Sequence, residues 1–162
     1  MRVAANELSA LLWRERELLG LLTFKLEEEQ LLLTTGNTKW LHHATREVEQ
    51  VVEHLRSEAL SREVAVAALA AEWNLGEQPT LRDIVSNAPS GPWAEIFEGH
   101  LKELLALTAR IKELRDANEV FLRAAMRSTQ ETLAGLRADA GTYDSLGAPS
   151  PTSGTSTLDR QL

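Results

Sequence analysis

The sequence contains no cysteine, which excludes a disulfide framework, a thiolate metal site and a nucleophilic thiol. Aromatic residues are only 5% of the chain, with a single tyrosine, too few for an ordinary β-rich domain. Charges interrupt every apolar run well short of the roughly 18 residues that a membrane span needs. The N-terminal Met1-Arg2-Val3-Ala4-Ala5-Asn6-Glu7 lacks the charged segment and apolar stretch of an export signal. Basic residues are outnumbered, 17 Lys and Arg against 24 Asp and Glu, leaving a net charge of -7. Affinity for nucleic acid comes largely from cations that neutralise phosphates, so no nucleic-acid partner is expected. The expectation is a cytoplasmic protein without membrane insertion. At 162 residues it has room for one domain with a core of its own.

What is present is helical patterning. From about Asn6 to Leu33, Leu12, Leu19, Leu26 and Leu33 recur at steps of seven, and Leu8, Leu11, Leu18 and Leu22 fill the same stripe. Glu15 and Glu29 fall beside the stripe where Leu would be expected, either as solvated flanking residues or as polar layers inside a bundle. Thr34-Thr35-Gly36-Asn37 supplies a helix stop and a new cap, so a second helix should start near Thr38 and run back beside the first. Its apolar side is Leu41, Ala44, Val48, Val52, Leu55, Ala59, Val66, Leu69 and Trp73, with no Gly or Pro before Gly76 and a possible restart at Ser61. Pro79-Thr80-Leu81-Arg82-Asp83 reads as a capping box opening a short helix that turns Leu81, Ile84 and Val85 inward.

A third long helix begins at Ser90-Gly91-Pro92-Trp93 and continues to about Ala138. Its stripe is Phe97, Leu101, Leu104, Leu107, Ile111, Leu114, Asn118, Phe121 and Ala125, with Asn118 as a polar residue that can fix register. The expected fold is all-α: an antiparallel, coiled-coil-like bundle of three long helices over residues 1–140, with a short helix in the second connection. Residues 141–162, rich in Gly, Pro, Ser and Thr, are expected to form a flexible tail. The third helix, at about 69 Å, outruns the first, at about 42 Å. Apolar positions continue past that reach at Leu122, Met126, Leu133 and Leu136, and an apolar stripe left in water marks a partner site, the alternatives being cover by the second helix or by a second copy.

Signals for chemistry are missing. None of His42, His43, His54 and His100 has a Glu three residues before it, as a di-iron bundle would require. There is no nucleophile elbow, P-loop or dinucleotide fingerprint. The runs Glu27-Glu28-Glu29 and Glu47, Glu49, Glu53 read as solvated faces, and Trp73 as core. No enzyme activity, cofactor or metal is expected.

The Leu-rich first helix with Glu15 and Glu29, the Pro79-Thr80-Leu81 connection, Asn118-Glu119-Val120-Phe121-Leu122 and the late Thr142-Tyr143-Asp144-Ser145-Leu146-Gly147 together resemble the FlgN family of flagellar export chaperones. The resemblance covers about residues 6 to 147. It implies a cytoplasmic chaperone of the flagellar type III secretion system that binds the hook–filament junction proteins FlgK and FlgL. On that resemblance the substrate surface includes Phe121, Leu122, Met126, Leu133 and Leu136, and Tyr143 centres an element docking to the export gate. The competing expectation is a self-associating helical scaffold or adaptor protein.

Overall fold

A computed structural model describes residues 3–140. These residues form four α-helices, α1 (Val3–Thr34), α2 (Leu41–Glu72), α3 (Leu81–Ser86) and α4 (Trp93–Ala140), with a 3-10 turn at Thr38–Trp40 between α1 and α2. No strand occurs among the described residues. The chain divides into two units after Phe121, and each is described by itself. The expected tail, with Tyr143, lies outside the described residues.

In the first unit the helix stops are set by two residues in the left-handed region. Gly36 takes φ +70, and the amides of Gly36 and Asn37 donate to the carbonyls of Leu33 and Leu32 at 3.4 and 3.0 Å. This pairing closes the end of α1 where a residue with Cβ would be strained. Asn37 does not cap the next helix with its side chain, contrary to the expectation from sequence, and a 3-10 turn intervenes before α2. α2 then runs without a break at Ser61. Its stop is not Gly76 but Asn74, at φ 52, with the Leu75 amide donating to the Ala70 carbonyl at 2.8 Å; Asn is the other residue that tolerates this conformation. α3 has the expected capping box: Asp83 donates its amide to the Thr80 hydroxyl, and its carboxylate accepts from the Thr80 amide at 2.8 Å. Leu81 and Ile84 are buried beneath it and Val85 is half-buried.

The core follows steps of seven. α1 buries Leu8, Leu12, Leu19, Leu22 and Leu26; α2 buries Ala44, Val51, Ala65 and Leu69; α4 buries Phe97, Leu104, Ile111 and Leu114. Along α2 the most buried sevenfold series passes through Ala44, Val51 and Ala65, with Glu58 in line, while the expected Val48, Val52, Leu55 and Val66 pack partly buried against the core. Ala59 is exposed. Side-chain pairs between α1 and α2 run in opposite senses: Glu15 accepts from Arg62 at 2.8 and 3.0 Å, Lys25 pairs with Glu47 at 2.8 Å, and Thr45 donates to Glu29 at 3.1 Å. Pairs between α1 and α4 run in the same sense: Ser9 meets His100 at 3.1 Å, Arg110 reaches Glu27 at 3.2 Å, and Asn118 donates to the Leu26 carbonyl at 2.9 Å.

Glu15 and Glu29 therefore belong to polar layers between helices. Glu27, Glu28 and Glu47, expected as solvated faces, are ion-paired with Arg110 and Lys25. The hydrogen bond from Lys25 lowers the Glu47 carboxyl from its ordinary value. Trp73 is half-buried rather than fully enclosed and meets Phe97 edge-on at 6.0 Å, while Trp93 stacks on Phe97 at 5.6 Å.

His100 is a core residue that the sequence pattern did not single out, because histidine is not scored with the apolar stripe. It is 1% exposed, beneath Trp13 in an edge-on contact and beside Phe97. Arg16 can only donate, so Nδ1 accepts from it at 3.4 Å and the ring proton sits on Nε2, which donates to the Ser9 hydroxyl. Burial first, and the Arg16 charge second, push the imidazole below its ordinary value of 6.5. The unfolded chain then takes up this proton before the folded chain does, so stability is full above pH 6.5 and is lost as pH falls from there towards the depressed folded value. Denaturant midpoints measured from pH 7.5 down to 5 should show this loss, and His100→Gln should lack that part of it. Phe97, fully buried and in contact with two tryptophans, should cost about 3–5 kcal/mol on replacement by Ala, read by the same denaturant titration.

Candidate functional site

The apolar pattern of α4 changes at Asn118. Up to that point buried residues recur at Phe97, Leu104, Ile111 and Asn118. Continuing in sevens would place Ala125 and Thr132 on the seam, with Ser128 and Gly135 beside it. The large apolar residues instead step by four to Leu122 and resume at Met126, Leu133 and Leu136. Such a four-residue insertion starts a new stripe on the helix.

In the second unit this stripe is open to solvent. Leu122, Met126, Leu133 and Leu136 are 40, 55, 50 and 58% exposed, and none of residues 122–140 is buried. At about 100° per residue the four side chains, with Thr129, fall within an arc of about 80°, which Ala125 widens to about 100°. Their spacing of three, four and seven is what a second amphipathic helix needs for interdigitation. Phe121, the last residue of the first unit, is 37% exposed. The structure thus finds all five described partner-site candidates accessible. Tyr143, the sixth, is outside the described residues.

The borders of the stripe were not singled out from sequence, because periodicity counts apolar residues only. Going round the helix in one direction from Leu122, Arg137, Arg123 and Arg127 follow at about 60°, 100° and 140°; in the other direction come Thr132, Asp139 and Ser128 at about 80°, 100° and 120°. One edge is therefore cationic and the other nearly neutral. Residues 122–140 carry three arginines against Glu131 and Asp139, a positive balance in a chain of net charge -7.

Elsewhere, exposed apolar residues include Trp13, Leu21, Phe24 and Leu31 on α1, and Leu60 and Val64 on α2. A groove of ≈ 600 Å³ lies between α2 and α3, beside Val66, Pro79 and Leu81. Two of the polar groups on it are already engaged, Arg62 by Glu15 and Thr80 by Asp83. Among the described residues no three His, Asp or Glu side chains gather as metal ligands would, and no helix is long and apolar enough to cross a membrane.

No curated protein and no solved structure gives a significant match to the chain. The family model described as FlgN protein matches residues 1–151, nearly the whole sequence. The chain therefore belongs to the FlgN family, whose role is flagellar export chaperoning.

Proposed function

We propose that this protein is a cytoplasmic chaperone, without catalytic activity, that binds the hook–filament junction proteins FlgK and FlgL, keeps them soluble and unassembled, and delivers them to the flagellar type III export gate. The supporting observation is the stripe of Leu122, Met126, Leu133 and Leu136, exposed along the end of a 48-residue helix. In this reading residues 3–121 serve as an antiparallel three-helix bundle that holds α4, and residues 122–140 receive an amphipathic helix of the client. Binding hides the apolar face through which client subunits would associate too early. Tyr143, carried over from the family resemblance, docks the loaded chaperone to the export gate.

The magnitudes favour contact by a whole helix face. Full burial of one Leu or Met side chain brings about 1.5–3 kcal/mol, and these four are already about half covered by their own helix, so together they supply roughly 3–6 kcal/mol. Association costs about 4–15 kcal/mol. The client must therefore add its own apolar stripe.

Co-expression with the C-terminal region of a hook-associated protein should give a soluble complex. Leu133→Asp combined with Leu136→Asp should abolish it while unfolding free energy changes by less than about 1 kcal/mol, since both residues are exposed. Retained binding by the double variant would remove the stripe as the client surface. A mass that rises with concentration in the absence of client would instead assign the stripe to a second copy. Tyr143→Ala should leave client affinity intact and reduce export of the client in a motile strain; export at the normal rate would remove the docking role.

A further inference from the structure

We propose that the helix received by residues 122–140 carries acidic residues along one edge only, the edge that lies against Arg137 and Arg127; this rests on the helix-docking reading given above. Three observations carry it. The stripe of Leu122, Met126, Leu133 and Leu136 is bordered on one side by Arg137 and Arg127, with Arg123 between them already engaged within the chain, and on the other by Thr132, Ser128 and a single carboxylate, Asp139. All of these bordering residues are exposed. The segment is positively balanced in a chain that is otherwise acidic, with 24 carboxylates against 17 basic residues.

The energetics make such an edge useful. The apolar contact is of the same order as the cost of association, so affinity and choice of partner fall to the border. An arginine extends about 6–7 Å from the backbone on an apolar stem, covers the rim of the docked face and offers a planar fork to a carboxylate. A partner helix with a cationic edge on that side would meet like charges beside a partly desolvated contact, which is disfavoured. The asymmetry also sets orientation. A helix laid on the stripe in the opposite direction exchanges its two edges, so an acidic edge would then meet Asp139 and the hydroxyls of Thr132 and Ser128. The arginine border selects one direction of docking as well as one sign of charge.

The test uses the full chain and two fluorescently labelled peptides of about five helical turns that share one leucine stripe. One carries Glu and the other Lys at the same positions along one edge. Binding is followed by anisotropy at about 0.05 M and about 0.5 M salt, where screening lengths differ about threefold. The Glu-edged peptide should bind about ten-fold more tightly at low salt, as a few exposed charge pairs would give, and the advantage should shrink towards unity at high salt. Arg127→Glu with Arg137→Glu should invert the preference. Equal affinity for both peptides, lost in Leu133→Asp/Leu136→Asp, would overturn the acidic-edge inference and leave helix docking standing. A Glu preference that survives the double arginine reversal would also overturn it, by placing the charge readout elsewhere. No binding of either peptide would overturn both readings together.

Discussion

The register of the three long helices depends on two polar layers. Leucine seams at steps of seven are degenerate: sliding one helix by seven residues replaces Leu with Leu and leaves the burial of apolar surface almost unchanged. Glu15 and Glu29 break that degeneracy. Glu15 takes both oxygens to Arg62 at 2.8 and 3.0 Å with its side chain only 19% exposed. A slip of α1 by one step would set Leu8 or Leu22 against Arg62 and strand a half-buried guanidinium. Glu29 accepts from Asn118 of α4 at 3.1 Å and from Thr45 of α2 at 3.1 Å, so one carboxylate ties all three helices at one level. These layers add little net stability, because desolvating the charges offsets most of their attraction. Their contribution is to make the alternatives worse.

The same layers explain why α2 is apolar in sections. Its sevenfold series is interrupted at Glu58, and Arg62 takes the neighbouring seam position, where Arg14 and Glu15 face them. Between Val52 and Ala65 no α2 residue is buried. Hydrophobic packing is concentrated above and below this section, in Val51 with Ala44 and in Ala65 with Leu69. A helix of 32 residues without a glycine or proline stays continuous across the gap because its backbone bonds are local and its seam resumes in phase.

Much of this was legible in the sequence where one residue type carries one physical meaning. Steps of seven in leucine, the reciprocal Thr80 and Asp83, and Gly36 at a positive φ are each visible locally. What was hidden depended on partners distant along the chain. Asn74 rather than Gly76 ends α2 because the Leu75 amide finds the Ala70 carbonyl. His100 is core because Ser9, Trp13 and Arg16 of α1 surround it. In the Glu27-Glu28-Glu29 run Glu27 does stay exposed, but the pairing with Lys25, Arg110 and Asn118 is recognisable only after packing. At the candidate site the apolar stripe of residues 122–136 was legible by length and spacing. Its arginine border was not, because the arginines are spread along the chain and gather on one side only when wound round the helix.

The candidate stripe shares a helix with the core, and that continuity has an energetic consequence. An isolated segment of 19 residues would be a marginal helix in water, since initiating a helix fixes several residues for one hydrogen bond. In α4 the initiation is supplied by residues 93–118, whose helix is stabilised by buried Phe97, Leu104, Ile111 and Leu114. Residues 122–140 need only propagate it, at a cost per residue close to zero for a sequence of Ala, Leu, Arg, Met, Gln and Glu with a single glycine at 135. The side chains that a partner would meet are thus presented on a helix that does not have to be ordered at the moment of contact. That saving matters because the apolar contact alone is comparable to the cost of association. Helix formation here depends on the residues upstream, so the side chains of the stripe can stay exposed on a helix that is already formed.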